Sequence, residues 1–229
     1  MAELLNRSFI VGIDIGSSKV AAAIGEYVEE ELHIHGMAYE KIRCVKEGTI
    51  SEIEPLVKAI STLIKQIEKE AECEIYSLST TIAGRHIHGE KSHGSAPIRG
   101  AKHPTVSSRD LQMVLDTAGA VPLEKEQKVI HILPSHYKID NQEGIRNPIG
   151  MSGVRLEADA YVVAAADNAI QNITNSLERC ELHLDSVVFQ GIASSYSVLS
   201  RDEKDLGVCL IDIGSGTTDV TVYSKGAVI

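Results

Sequence analysis

The sequence is poor in several features that mark particular classes of protein. Its 229 residues contain no Trp and two Phe, which argues against a surface on which single-stranded nucleic acid stacks. No segment approaches the roughly 18–20 consecutive apolar residues of a membrane span, and residues 1–8 hold no apolar stretch typical of a secretory signal. The cysteines form no C-x-x-C pair and predict reduced thiols of a cytoplasmic protein rather than a disulfide frame or a zinc site. They are Cys44, Cys73, Cys180 and Cys209.

Composition and charge place the chain among soluble globular proteins. Apolar residues make up 43% and charged residues 24% of the sequence, enough apolar material for a sizeable core. With 22 basic and 32 acidic side chains the net charge is −10. Such a surface repels a phosphate backbone, so we expect no general nucleic-acid partner.

The first 84 residues alternate between strand and helix patterns. Apolar runs predict strands at 8–15, 19–26, 32–38 and 73–83. Between them, apolar residues recur every three or four positions from Ile53 to Ile67 and predict a helix with one buried stripe. Ser51 and Glu54 have the spacing of a capping box at its start.

Residues 85–162 change character and predict an inserted small α+β subdomain. Residues 85–104 are rich in Gly, His, Ser and Pro, which predicts loops or short edge strands. A short amphipathic helix is expected behind Ser107 and Ser108, and strands at 129–133, 135–140 and 154–163.

The last third returns to α/β alternation. Asp167 begins a predicted helix, and 184–189 predicts a strand. Residues 191–200 predict a helix in which Ile192, Tyr196 and Leu199 share a face. The acidic stretch 202–205 is interpreted as a solvated loop, followed by a hairpin of two strands at 206–213 and 217–223.

Two segments of the chain repeat one pattern. VGIDIGSSKV occupies residues 11–20 and LIDIGSGTTDV occupies residues 210–220. Each is an apolar strand that ends in Asp and continues through a Gly-Ser turn into a second strand. Glycine lets a backbone bend so that consecutive N–H groups converge on an anion, and hydroxyl or lysine side chains add further donors. Duplication makes the pattern far more specific than one such turn, and both the P-loop and the Rossmann glycine motifs are absent.

The repeat therefore predicts a polyphosphate site between two facing hairpins. Aspartates beside phosphate require a cation between them, and Mg²⁺ held mainly through water satisfies this. The predicted metal-associated residues are Asp14 and Asp212. The predicted phosphate-binding residues are Asp14, Gly16, Ser17, Ser18, Lys19, Asp212, Gly214, Ser215, Gly216, Thr217, Thr218 and Asp219.

The same segments resemble the phosphate-1 and phosphate-2 motifs of the superfamily that unites actin, chaperones and sugar kinases, and Gln190–Leu199 resembles its connect-1 segment. EGIRNPIGMSGVRL at 143–156, the stretch 189–220 and IAGRHI at 82–87 are similar to the bacterial cell-division family FtsA. The resemblance runs over almost the whole chain.

This resemblance implies an α/β, actin-like (ribonuclease H-like) ATPase fold with an inserted subdomain of the 1C, or SHS2, type. Residues 1–84 and 163–203 would form subdomain 1A, 85–162 subdomain 1C, and 204–229 the start of an incomplete subdomain 2A. It also implies ATP with Mg²⁺ between 1A and 2A. With the second half truncated, we expect weak or no ATP binding by this chain alone.

The resemblance further implies a cytoplasmic protein at the inner membrane of the division site. The family tethers the FtsZ ring through regions missing here and through a C-terminal membrane helix absent from this chain. It meets later division proteins such as FtsN through 1C and self-associates into filaments. Gln190 is the expected catalytic position, and because Gln cannot act as a base, at most a weak ATPase is expected. The alternatives are a PilM-like pilus-assembly protein and a small-molecule kinase, the latter lacking its expected catalytic loops.

Overall fold

A computed structural model of the chain describes residues 9–100 and 102–229, so Ser8 of the first predicted strand lies outside the described residues. The chain folds into two compact units. Unit 1 contains the described residues up to 86 together with 167–193 and 212–219. Unit 2 contains 87–166, except residue 101, together with 194–211 and 220–229.

Unit 1 is built on a five-stranded mixed sheet with the order β11-β6-β1-β2-β3. Its strands are β1 (Phe9–Ile15), β2 (Lys19–Val28), β3 (Glu31–Lys41), β6 (Ser77–Ile82) and β11 (His183–Phe189). A small hairpin consists of β4 (Val45–Lys46) and β5 (Thr49–Ile50). Pairing is antiparallel along β1, β2 and β3, and parallel from β1 to β6 and from β6 to β11. The parallel pairs align the ends of these three strands, which places the residues after them at one edge of the sheet.

Two helices of unit 1 follow the predicted patterns. Helix α1 (Ile53–Ala71) packs on β2 and β3, and α3 (Asp167–Glu178) packs on β11 and α1. The fully buried side chains of α1 include Ile60 and Ile67, each worth roughly 1.5–3 kcal/mol of burial. The predicted capping box is wrong: Glu52 is the N-cap without a side-chain cap bond, because the Ser51 hydroxyl donates to the Cys44 carbonyl at 3.0 Å.

Unit 2 is built on an antiparallel sheet with the order β7-β10-β8-β9. Its strands are β7 (Ile87–Pro97), β8 (Gln127–Ile139), β9 (Gln142–Ile145) and β10 (Arg155–Ala166). Helix α2 (Ser108–Gly119) packs on β7 and β10, and its Val114 joins Leu156 in a common core. This helix confirms the amphipathic pattern behind Ser107.

Two sequence expectations in unit 2 need correction. Residues 87–97, expected as loops or short edge strands, form one edge strand of 11 residues. The two strands predicted on either side of Pro134 are one strand, β8. A bulge absorbs the extra residue there, since Ser135 has no partner in the pairing with β10, and its hydroxyl donates to the Asp159 carbonyl at 3.0 Å.

The remaining elements are α4 (Gln190–Val198), α5 (Arg201–Leu206), β12 (Val208–Ile213), β13 (Thr218–Ser224) and β14 (Ala227–Val228). The last three strands form a sheet in that order, which confirms the predicted hairpin. The loop expected at 202–205 is helical, because Ser200 and Glu203 form a capping box. Tyr196, expected on a packed face of α4, is 80% exposed. None of the helices among the described residues has the length and apolar character needed to cross a membrane.

Candidate functional site: two glycine bends around one cavity

The two repeated segments form matching bends at the ends of β1 and β12. In the first bend the Gly16 N–H donates to the Lys19 carbonyl at 3.0 Å. In the second bend the Gly214 N–H donates to the Thr217 carbonyl at 2.9 Å. In each bend this backbone hydrogen bond joins the first and the fourth residue of the turn. The sequence repeat is therefore also a structural repeat. Each bend follows a strand that ends beside an aspartate, Asp14 or Asp212.

Both bends line one cavity of about 300 Å³ within unit 1. Eleven of the twelve predicted phosphate-site residues and the predicted Gln190 contribute to its wall. The exception is Thr218, which is exposed and does not line the cavity. The lining residues are Asp14, Ile15, Gly16, Ser17, Ser18, Lys19, Gly48, Ala83, Gln190, Asp212, Ile213, Gly214, Ser215, Gly216, Thr217 and Asp219. Asp14 and Asp212, distant in sequence, thus face one space.

The two bends also touch each other. A Cβ atom built at Gly216 would overlap the Ser17 side chain, so this position requires glycine for close approach. Any larger residue at 216 would push the second bend away from the first. The glycine therefore sets the spacing between the two sets of donors.

The carboxylates of the cavity have specific neighbours. The Thr81 hydroxyl donates to Asp14 Oδ1 at 2.6 Å and fixes the orientation of that carboxylate. The Gln190 amide lies 3.4 Å from Asp212 Oδ2, at the long limit for a hydrogen bond. Burial, and secondarily the negative charge of Asp212, raises the pKa of Asp219, while a hydrogen bond from Thr217 lowers it. The raised pKa therefore reflects mainly the burial of this carboxylate, with a smaller contribution from its acidic neighbour.

Outside the two repeated segments, sequence reasoning missed three residues of this site. Gly48 and Ala83 line the cavity, and Thr81 orients Asp14. Gly48 has φ of +77° in the β4–β5 turn and packs against the Ala83 backbone, so a side chain there would clash. The only sequence signal was the glycine of a tight Glu-Gly turn, whereas nothing local indicates that Thr81 contacts Asp14 or that Ala83 reaches the cavity.

Two further cavities of unit 1 adjoin the bends. One of about 870 Å³ shares Ser17, Ser18, Ser215 and Gly216 with the site and has a basic wall made by Lys41, Arg43 and Lys46. The other, of about 640 Å³, is mostly apolar and includes Asp14, Lys19 and alanines of β2. The polar 300 Å³ cavity is the candidate site, since both bends and all three aspartates line it.

The residues present fit a phosphate group accompanied by a hard cation. Backbone N–H groups and hydroxyls of both bends can donate to phosphate oxygens, and Lys19 supplies one positive charge. Three aspartates against that single lysine leave negative charge that a divalent cation would relieve. Among the described residues no three His, Cys, Asp or Glu side chains converge as a metal cage. Mg²⁺ keeps several waters and is bound through one or two carboxylates together with phosphate, and Asp14 and Asp212 supply two carboxylates here.

The chain has the actin-like ATPase fold. Solved structures support this at the level of fold. PilM in the PilM–PilN type IV pilus biogenesis complex matches with a TM-score of 0.67 and 15% identity, over 97% of this chain and 60% of that one. The ethanolamine utilization protein EutJ of Carboxydothermus hydrogenoformans matches with a TM-score of 0.54 and 13% identity, over 98% and 51%.

Sequence comparisons show a closer similarity to cell-division proteins named FtsA. Residues 84–164 match the model of the SHS2 domain inserted in FtsA. Cell division protein FtsA of Pseudomonas aeruginosa is 45% identical over 229 residues, 100% of this chain and 54% of that protein. FtsA of Escherichia coli K12 is 39% identical over 228 residues, again 54% of its length. The chain is thus similar to FtsA over its whole length and spans about half the length of these relatives.

Proposed function

We propose that the paired bends of unit 1 hold the phosphates of a nucleotide, ATP, together with Mg²⁺. The observation that carries the proposal is that both glycine bends, with Asp14 and Asp212, line one cavity. Backbone N–H groups of the bends and the hydroxyls of Ser17 and Thr217 bind phosphate oxygens. Bound Mg²⁺ would supply charge neutralisation between phosphate and carboxylates, and Asp14, Asp212 and water would hold it.

Gln190 is placed to polarise or position water rather than to take a proton. It lies at the start of α4 with its amide directed at Asp212. A neutral amide has no basic form at physiological pH, so hydrolysis is slow. The protein thus acts mainly as a nucleotide-binding protein and at most as a weak ATPase.

We assign the subdomains of the FtsA resemblance to the chain as 1A at 1–84 and 163–203, 1C at 85–162, and 2A from 204. The match of residues 84–164 to the SHS2 domain inserted in FtsA supports the assignment of 1C. The five-stranded sheet with α1 and α3 supports the assignment of 1A.

The proposed cellular role is that of FtsA in bacterial division. Identity of 39–45% to proteins named for cell division supports it. In this role the whole protein tethers the FtsZ ring to the cytoplasmic face of the inner membrane. Subdomain 1C meets later division proteins such as FtsN, and the protein self-associates into filaments.

The nucleotide proposal is tested by NMR on the ¹⁵N-labelled chain, since shifts of amide resonances detect weak binding. Titration with Mg²⁺ and ATP, and separately with Mg²⁺ and tripolyphosphate, should move the amide signals of both bends, including Gly16 and Gly214. Asp14→Asn combined with Asp212→Asn should abolish the Mg²⁺ dependence. Asp185→Asn, which changes an exposed carboxylate of unit 1, is the matched control. Shifts at one bend alone, or at neither, would refute the two-bend site.

The division role is tested with a chimera in which this chain replaces the matching half of Pseudomonas aeruginosa FtsA. We expect a fluorescent chimera to gather at midcell and to restore division in a strain depleted of its own FtsA. The Asp14→Asn, Asp212→Asn version should be expressed equally and fail to restore division. A stably expressed chimera that stays diffuse would contradict the proposed role.

A further inference from the structure

A second cleft, unrelated to the bends, lies within unit 2 and has a cationic and aromatic wall. Its volume is about 550 Å³, and its lining includes residues of α4, α5, β8 and β14. Four basic side chains and one carboxylate line it: Arg146, Arg201, Lys204, Lys225 and Asp205. The chain has a net charge of −10, so this local excess of positive charge is opposite in sign to the charge of the molecule as a whole.

The floor of the cleft is fixed by a tyrosine–lysine arrangement. The Lys204 ammonium lies 4.5 Å from the ring centroid of Tyr196 and 5.2 Å from that of Tyr223. Tyr223 is 6% exposed, and its hydroxyl is 2.6 Å from Ser195 Oγ. The Gly226 N–H donates to the Lys204 carbonyl at 2.9 Å and ties the last turn to α5. Lys204 is thus held by cation–π contacts of its side chain and by the hydrogen bond of its backbone carbonyl. Of the two rings, that of Tyr196 remains exposed to solvent.

The other cations are available to a ligand. Arg146 pairs with Asp205 at 3.3 Å, but its side chain is 70% exposed, and pairs of this kind contribute little in water. A carboxylate of a ligand can therefore share or replace that partner. Within the part of the chain that the structure describes, Arg201 and Lys225 have no carboxylate at ion-pair distance.

We propose that this cleft binds a short acidic peptide segment of a partner protein. Its cations are interspersed with apolar wall supplied by Pro134, Leu199 and Ala227, which a lone phosphate would leave uncovered. A peptide supplies carboxylates for the cations and apolar groups for the wall between them. Arginine clusters recognise acidic motifs, and tyrosine is enriched at protein interfaces. A flat anionic membrane surface fits a concave cleft less well.

The test is fluorescence anisotropy on the whole chain with a labelled peptide in which Glu alternates with Leu. We expect saturable binding that weakens as salt is raised, because the contacts are partly exposed ion pairs. Arg201→Glu combined with Lys225→Glu should weaken binding at least about tenfold. Lys58→Glu combined with Lys65→Glu makes the same charge change on the exposed face of α1 and should leave binding unchanged.

Three results would overturn the proposal. One is equal binding by the two double variants, which would mean attraction by net charge alone. Another is equal binding of a peptide in which Lys replaces Glu. The third is binding of inorganic phosphate or of phosphatidylglycerol vesicles with no binding of the acidic peptide, which would assign the cleft to a different ligand. Retained circular dichroism of each variant shows that the loss is not one of folding.

Discussion

Thr81 orients one carboxylate of the candidate phosphate cavity, that of Asp14, through a single hydrogen bond. It belongs to β6, which pairs in parallel with β1, and its hydroxyl reaches Asp14 at 2.6 Å. A carboxylate held in this way keeps one oxygen occupied and directs the other toward the cavity. Thr81 is thus a positioning residue for the proposed cation site.

Replacing Thr81 with Val keeps the shape and removes this hydroxyl. We expect affinity for Mg²⁺ with ATP to fall by about three- to tenfold, in line with about 0.5–1.5 kcal/mol for one hydrogen bond. The NMR titration of the bends measures this. Ser186→Ala removes a hydroxyl pair with Ser79 in the same sheet and serves as control. An unchanged affinity of the Thr81→Val chain would show that Asp14 needs no such support.

Because of Asp219, the stability of the folded chain should depend on pH. Burial and the neighbouring Asp212 raise its pKa above the ordinary value of 3.8, so the folded chain holds a proton that the unfolded chain has lost. The contribution of this group to stability is present below the unfolded pKa and is lost as pH rises through the folded pKa. Asp219→Asn should therefore gain stability relative to the parent at pH 7 and not at pH 3. Thermal unfolding at both pH values measures this, and a gain that is equal at both would exclude titration of Asp219 as its cause.

At the scale of elements, α2 shows how one cap supports a helix of unit 2. The Ser107 hydroxyl accepts from the Asp110 N–H at 3.3 Å, and Asp110 Oδ2 accepts from the Ser107 N–H at 2.9 Å. Hydrogen bonds from the side chain and backbone of Ser107 lower the pKa of Asp110, which is 2% exposed. The stability from this group is present above its unfolded pKa of about 3.8 and is lost as pH falls through the lowered folded value.

Ser107→Ala should lower the free energy of unfolding by about 1–2 kcal/mol, because a buried carboxylate loses its cap partner. Ser200→Ala removes the same kind of box from α5, a six-residue helix with no buried residues, and should cost less. Urea unfolding followed by circular dichroism compares the two. A larger loss of stability for Ser200→Ala would mean that burial does not determine how much a capping box stabilises its helix in this protein.

At the scale of the whole molecule, two cores stabilise the chain. Ile60 is fully buried on α1 in unit 1, and Leu156 is fully buried on β10 in the core around α2. Each replacement by Ala should cost about 2–5 kcal/mol through lost burial and the cavity left behind. Since Ile60 does not belong to the cluster of Leu156, the two costs should add. A double variant, measured by urea unfolding beside exposed Lys65→Ala, tests this, and marked non-additivity would show that the cores are coupled.

The sequence alone determined the features that depend on neighbours along the chain. The stripe of α1, the cap of α2 and both glycine bends follow from residue order, because helix periodicity, capping and turns are local. The two segments that repeat the Asp-Ile-Gly-Ser pattern also supply most of the residues that line the cavity.

Tertiary structure decided the rest. Thr81 reaches Asp14 because β6 pairs with β1, and Ala83 lines the cavity because it follows β6 at the edge of the sheet where β1 also ends. The capping box expected at Ser51 does not form, because the Ser51 hydroxyl donates to the Cys44 carbonyl in the folded chain. The cationic cleft likewise gathers Arg146, Lys204 and Lys225 from separate segments. Such contacts depend on which segments the folded chain brings together, about which local patterns carry no information.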